Sequence, residues 1–159
     1  MPNWGYSFSE EKYDSERLAK AAGRDLRIKP KQAREICAVI KGMRLDEAKS
    51  YLEKVIRMEQ SVPFRRHNKK QSHRKDLKQF KWDAGRYPRK AAARIYEILT
   101  QVESNAEYQG LDIDLCRIIH AATHRGRKIK RYIERAYGRS TAYFKHLSHI
   151  EIVVYEFPS

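Results

Sequence analysis

Six histidines are the side chains of this sequence best suited to metal binding or acid–base chemistry. His120 and His124 have the H-x-x-x-H spacing that can hold zinc when both residues lie on one face of a helix. The surrounding pattern predicts a strand instead, and neither cysteine pairs nor carboxylates are placed to complete a site. We therefore expect no metal and no cofactor.

A second group of residues has the types that a nuclease could use. His67, His73, Asp76 and Asp83 combine imidazoles with carboxylates in one stretch of the chain. No ordered pairing and no nucleophile motif supports such a site. We therefore predict that the protein is not an enzyme.

The thiols and apolar runs exclude other classes of protein. Cys37 and Cys116 stand far apart in apolar surroundings, which predicts buried thiols and suits a reducing cytosol. No apolar run approaches the roughly 18 to 20 residues of a membrane span. The segment Met1–Glu11 lacks the basic start and apolar core of a signal peptide. We expect a cytoplasmic protein with no membrane partner.

The net charge of +14 is concentrated in two segments. Ser61–Arg94 contains 12 Lys/Arg and 2 Asp/Glu, and Arg117–Lys145 contains 9 Lys/Arg and 1 Asp/Glu. The rest of the chain carries 13 basic and 17 acidic residues, like an ordinary domain. This asymmetry indicates dedicated anion-binding surfaces, and nucleic acid is the commonest such partner.

Apolar periodicity predicts the elements that position these charges. A polar extension over 1–23 precedes a short strand at Asp25–Ile28 and a helix that begins at Pro30. A second helix is expected over Leu45–Met58, then a long basic loop without periodicity over Val62–Tyr87. The remaining expected elements are a helix over Pro88–Tyr108, a strand after Leu111 and a returning strand over Thr141–Tyr155.

The last two strands predict an antiparallel hairpin whose distal half cannot fold by burial. Some ten residues per strand beyond the core would project on the order of 30 Å at ~3.3 Å per residue. An isolated ribbon of two strands is marginal in water, and repulsion among its cations weakens it further. Tyr132, Tyr137, Tyr143 and Phe144 offer rings for stacking on unpaired bases. Gly126 and Gly138 allow tight turns or close approach of the backbone to RNA. The charge alone leaves a disordered basic tip open as an alternative.

Particular runs of residues resemble a known family. The run KIKRYIERAYGRSTAYFKHLSHIEIVV (Lys128–Val154) resembles the C-terminal hairpin of the universal large-subunit ribosomal protein L-twenty-two family, called L-seventeen in eukaryotes. DLRIKPKQAREICAVIKG resembles its first strand and helix, NAEYQGLD the end of its third helix, and HAATHRGR its outgoing hairpin strand. VPFRRHN through WDAGRYPRKAA resembles the insertion of archaeal and eukaryotic members. One departure is Glu134, where the family usually has proline, which bears on the local conformation of the tip.

The resemblance implies an α+β fold with three helices on a small three-stranded antiparallel sheet and a long extended β-hairpin. It implies a structural constituent of the large ribosomal subunit that binds 23S-type rRNA, supports assembly, and contacts neighbouring ribosomal proteins. It also implies that the hairpin lines the polypeptide exit tunnel and meets the nascent chain. The chain is interpreted as one domain (1–159), with an extension (1–23), a core (24–60 and 86–116), a basic insertion loop (61–85), an extended hairpin (117–149), and a last strand with tail (150–159).

The expected rRNA-binding residues are mainly the cations of the two basic segments. They are Arg65, Arg66, His67, Lys69, Lys70, Arg74, Lys75, Lys78, Lys81, Trp82, Arg86, Arg89, Lys90, His124, Arg125, Arg127, Lys128, Lys130, Arg131, Arg135, Arg139 and Lys145. The expected hairpin tip in the tunnel is Lys130, Arg131, Tyr132, Ile133, Glu134, Arg135, Ala136 and Tyr137. The alternative function is a free-standing basic protein that binds or anneals RNA.

Overall fold

A computed structural model describes residues 5–158. Within them lie three α-helices, one sheet of three antiparallel strands and two small two-stranded pairs. The helices are α1 (Pro30–Ile40), α2 (Leu45–Ile56) and α3 (Arg89–Tyr108). The strands are β1 (Leu18–Leu26), β2 (Val62–Pro63), β3 (Gly85–Arg86), β4 (Cys116–Ile129), β5 (Tyr132–Glu134), β6 (Ser140–Ala142) and β7 (Lys145–Glu156). Short 3-10 turns lie at Ser15–Arg17, Lys75–Phe80 and Ile113–Leu115. The predicted α+β fold class is confirmed.

The last strand forms the centre of the main sheet, whose order is β1-β7-β4 with antiparallel pairing throughout. Ile150, Ile152 and Val154 of β7 have no exposed surface, because the helices cover that face of the sheet. Their period of two is the strand pattern that the sequence predicted. Every second residue therefore enters one core between sheet and helices.

The helices follow the predicted periodicity. Pro30 occupies the first turn of α1, where its missing N–H costs nothing, and Gly42 lies beyond its end with φ +91°. In α3, Ile95, Leu99 and Val102 are fully buried, and Gly110 follows its end with φ +74°. The start of α1 at Pro30 and the end of α3 at Tyr108 are confirmed. The helix α3 begins one residue after the predicted Pro88, and α2 ends two residues before the predicted position.

The first strand lies earlier than predicted, so the expectation of a strand at Asp25–Ile28 preceded by an irregular extension was wrong in position. The strand β1 begins at Leu18, and Leu18 pairs with Tyr155. Its sequence LAKAAGRDL is rich in alanine and charge, which have low strand propensity. Pairing with the apolar β7 overrides that local preference.

The N-terminal segment, here residues 5–17 before β1, covers the outer face of the sheet, opposite the helices. Phe8 lies 5.5 Å from the His120 ring and Tyr13 lies 5.2 Å from the Tyr155 ring, both measured between ring centroids. Val153, whose side of the strand faces away from the helices, is nonetheless fully buried. The N-terminal segment is therefore part of the packed structure.

Both cysteines are free and buried, as predicted. Burial raises the pKa of each thiol, Cys37 and Cys116, to about 11, so both stay neutral at physiological pH. No helix within residues 5–158 is both long and apolar enough to span a membrane.

Candidate nucleic-acid interface

The basic loop between α2 and α3 is an ordered structure. Its ends are joined by the β2–β3 pair, and Leu77 in the middle of the loop is fully buried. The backbone N–H of Ser61 donates to the Asp76 carboxylate at 2.5 Å. A loop without periodicity was predicted correctly, but its anchors join residues too far apart for local patterns to reveal.

The loop and the first turn of α3 direct their cationic side chains outward. Arg65 donates to the Phe80 carbonyl at 3.0 Å, and Arg89 donates to the Ile56 carbonyl at 3.0 Å. Arg74 lies 5.1 Å from the Tyr87 ring centroid. Because carbonyls and rings are neutral, these contacts orient the charges without cancelling them. The exposed cations with no hydrogen bond or ion pair from their side chains to the described residues are Arg66, Lys69, Lys70, Lys75, Lys78, Lys81 and Lys90.

Two of the residues expected to bind RNA make internal contacts. The Trp82 indole N–H donates to the Phe64 carbonyl at 3.0 Å, which fixes the ring against the base of the loop. Nδ1 of the His67 ring lies 2.7 Å from Oε1 of the Glu35 carboxylate. Both side chains are half-buried, so their first role is to hold the loop.

The hairpin consists of β4 and β7 at its base and of β5 and β6 near its tip. Residues 130–146 are all exposed, in agreement with the prediction that the distal half lacks a core. A bulge in β4 follows Arg125, and Arg127 forms an ion pair with Asp25 at 2.8 Å. Arg125, Lys128, Lys130, Arg131, Arg139 and Lys145 are exposed, and their side chains form no hydrogen bond or ion pair with the described residues.

The hairpin tip is a tight turn. Tyr137 and Gly138 have φ values of +57° and +65°, and the Arg139 N–H lies 3.4 Å from the Ala136 carbonyl. Positive φ at both central residues is the pattern of a type I′ turn, which suits the twist of the flanking strands. Glu134 pairs with Ser140 just before this turn. Gly138 is thus a turn residue, as predicted.

The aromatic side chains of the hairpin expose ring surface. Tyr137 is 97% exposed at the tip, although the left-handed backbone is unfavourable for a tyrosine. Tyr132 and Phe144 pack edge to face at 5.6 Å and remain partly exposed beside Tyr143. The arrangement alternates cations with rings, which suits contact with phosphates and unpaired bases.

Gly126 makes a close approach within the protein itself. A Cβ at this position would lie 3.1 Å from Nε2 of His149, which is buried. The close approach is thus internal, between the β4 backbone and a side chain of β7. Gly126 allows the bulged strand to pass over that ring.

The histidines with H-x-x-x-H spacing lie on β4 and contact the N-terminal segment. The Ser7 hydroxyl lies 3.3 Å from Nε2 of both His120 and His124, and it donates to the Glu151 carboxylate at 2.8 Å. The Ser7 hydroxyl therefore lies between the two imidazole rings and the carboxylate. The described residues contain no cluster able to hold a metal. His124, expected to bind RNA, faces this cluster while remaining partly exposed.

Burial and local charges shift two pKa values in this cluster. Burial lowers the pKa of His120 below its ordinary value, against the opposing attraction of Glu151. Burial alone would raise the pKa of Glu151. The hydrogen bonds from Ser7 and the two nearby histidines outweigh that effect and lower it. The arrangement is a neutral histidine beside an ionised carboxylate, which holds the N-terminal segment against the sheet.

The prediction from the sequence missed a third group of cations, around the start of α1. Residues 24–41 contain six Lys/Arg and two Asp/Glu, a local excess that could have indicated them. Ile28 accepts from Ser148 of β7, and Glu35 accepts from the basic loop. This segment therefore connects the hairpin to the loop. Its exposed cations are Arg24, Arg27, Lys29, Lys31, Arg34 and Lys41.

An α+β core with two cationic projections, whose charges point away from the core, defines a protein of the ribonucleoprotein class. The chain matches the family described as "Ribosomal protein L22p/L17e" over residues 21–155 and belongs to it. The family consists of structural ribosomal proteins and not of enzymes, so the chain is a structural constituent of the large ribosomal subunit.

Archaeal relatives match over nearly the whole chain. Large ribosomal subunit protein uL22 of Methanopyrus kandleri is 51% identical over 154 residues, which cover 97% of this chain and 96% of the relative. The protein of the same name from Ignicoccus hospitalis is 45% identical, over 98% of this chain and 99% of the relative. That of Methanocaldococcus jannaschii is 49% identical, over 89% of this chain and 90% of the relative. The resemblance inferred from the sequence is thus confirmed.

Proposed function

We propose that the chain binds 23S-type rRNA of the large subunit in the cytoplasm through its basic loop and hairpin. The observation that carries this proposal is the exposed ribbon of residues 130–146, which has cations but no core of its own. A ribbon of two strands with mutually repelling charges needs a polyanion to hold one shape. Contacts to many phosphates, with little reading of bases, fit side chains that are mostly Lys and Arg.

The hairpin also has the dimensions of an element that enters a channel of folded RNA. Some ten residues per strand beyond Gly126 reach on the order of 30 Å from the core. The tip over Lys130–Tyr137 would then line the polypeptide exit tunnel and meet the nascent chain, while the core contacts neighbouring ribosomal proteins near the opening. On this proposal the chain supports assembly by joining separate parts of the rRNA, and it has no membrane partner.

Fractionation of cell extract separates this role from that of a free RNA-binding protein. A ribosomal constituent should sediment with large subunits through moderate salt, because many phosphate contacts hold it there. Recovery of most of the protein in the soluble pool would favour the alternative of a free RNA-binding or annealing protein.

Crosslinking tests the tunnel assignment separately. A photoreactive residue at Arg135 or Tyr137 should capture nascent chains on stalled ribosomes, because both side chains are exposed at the tip. The same reactive residue at Tyr108, which is 94% exposed at the end of α3, is the matched control and should capture none. Failure to crosslink at every tip position would contradict the tunnel assignment.

A further inference from the structure

Glu35 is a charged residue buried in the middle of α1, beneath the basic loop. Its side chain is only 3% exposed. A buried carboxylate is costly unless hydrogen bonds compensate for its lost hydration. A function for Glu35 must therefore be sought in the groups that surround it.

Among residues 5–158, the hydrogen-bond partners of the Glu35 side chain all belong to the basic loop. Its Oε2 accepts from the Arg65 backbone N–H at 3.0 Å, and its Oε1 accepts from the His67 backbone N–H at 3.0 Å. The His67 ring adds a contact between Nδ1 and Oε1 at 2.7 Å. The bend of the loop over 65–67 thus wraps around a single carboxylate, using both of its oxygens.

This wrapping fixes where two arginine side chains emerge. Arg65 and Arg66 are both exposed, and the Arg65 guanidinium is oriented further by its bond to the Phe80 carbonyl. The Arg66 side chain has no hydrogen bond or ion pair within residues 5–158, so its charge is available to an anion. By Coulomb's law alone, a negative charge beneath them would weaken the binding of phosphate. Any contribution of Glu35 to phosphate binding must therefore come from the conformation that it gives the loop.

We propose that Glu35 is a positioning residue that preforms a phosphate-binding surface from Arg65 and Arg66. This inference rests on the proposed function, because it takes rRNA phosphates as the ligand. A surface that is ordered before binding loses less entropy on association than a flexible loop does. The loop therefore binds as a preformed surface, in contrast to the hairpin tip, which acquires its order from RNA.

A charge-matched pair of variants tests the proposal. Glu35→Gln removes one negative charge and one of the two acceptor oxygens, whereas Glu107→Gln removes the same charge from an exposed position on α3. Net charge alone predicts that both variants bind a large-subunit rRNA fragment more tightly. The proposal predicts that Glu35→Gln binds roughly tenfold more weakly, with a salt slope reduced by about 1 to 2, because two phosphate contacts lose their geometry. Glu107→Gln should bind as tightly as the original chain or more so.

Amide exchange in the free, unsubstituted protein gives a second measurement that does not depend on a variant folding. The Arg65 and His67 amides should exchange at least about tenfold more slowly than those of Lys69 and Lys70, which donate no backbone hydrogen bond to described residues. In Glu35→Gln this protection should be lost in the loop while α3 stays protected. A merely structural effect would instead accelerate exchange throughout the core.

The outcomes separate this inference from the proposed function. Equal rRNA affinity and salt slope for Glu35→Gln and the original chain would overturn the inference alone. Fast exchange at Arg65 and His67 in the original chain would overturn it as well. Absence of rRNA binding by the original chain would overturn the proposed function, and with it the role of Glu35 toward RNA.

Discussion

Removing four hairpin cations should change the salt dependence of rRNA binding by an amount that the structure allows to be worked out. The substitutions are Arg127→Ala, Lys128→Ala, Lys130→Ala and Arg131→Ala in one chain. Three of these residues have no acidic partner among residues 5–158, whereas Arg127 already pairs with Asp25 at 2.8 Å and counts for less. At about 0.7 to 0.9 released counterions per phosphate contact, the slope of log K against log salt should fall by about 3.

The assay is the affinity for a large-subunit rRNA fragment at several salt concentrations. With a slope difference of about 3, a fourfold rise in salt should shrink the ratio of original to variant affinity by roughly 60-fold. The matched control replaces four exposed cations outside the two basic segments, Lys12, Arg17, Lys54 and Arg57, by alanine. Equal slopes for the two variants would refute the reasoning, because the effect would then follow net charge and not the hairpin.

Three further predictions concern order, packing and pH. Amides of the hairpin tip over 132–142 should exchange rapidly in the free protein and slowly in the subunit, because RNA supplies their order. Ile95→Ala should lower the free energy of unfolding in urea by about 3 kcal/mol, because Ile95 is fully buried. Acidification should detach the N-terminal segment, as followed by the NMR signals of Ser7. The pKa values of His120 and Glu151 are lowered while the N-terminal segment is attached. Both groups therefore bind protons more readily once the segment is detached, so acid favours the detached state. The contact is therefore stable at pH 7, weakens as pH falls below 6.5, and weakens further below 4.5 as pH falls through the lowered pKa of Glu151.

Each of these predictions has a contrary outcome. Equally slow exchange of the tip in both states would show that the ribbon is rigid without RNA. A decrease in the free energy of unfolding below about 1 kcal/mol for Ile95→Ala would contradict tight packing around α3. The control is Thr100→Ala at an exposed position of α3, which should change the free energy of unfolding by no more than about 0.5 kcal/mol. Signals of Ser7 that stay constant as pH falls from 7 to well below 4.5 would exclude the two titrating groups as its anchors.

The sequence predicted most of the exposed cations of the candidate interface, because its charge pattern is local. The cations of the hairpin and the loop are consecutive in the chain, and all except the half-buried His67 and Trp82 of the expected rRNA-binding residues are exposed in the structure. Whether each exposed side chain contacts rRNA stays a prediction. His67 and Trp82 were assigned by composition alone, and the contacts that turn them inward involve Glu35 of α1 and Phe64, the residue after β2.

Periodicity determined the helices α1 and α3 and the two long strands of the hairpin, because a repeat of 3.6 or of 2 reports which face of an element is buried. The fold class was expected from the resemblance to a known family. Only the tertiary structure showed that β1 begins at Leu18, that Glu35 lies under the loop, and that Ser7 meets Glu151 across 144 positions of the chain. These features depend on partners that are distant in sequence. The alanine-rich segment forms a strand only because it pairs with β7. The Glu35 carboxylate can be buried only because donors from the loop surround it. Local patterns contain neither.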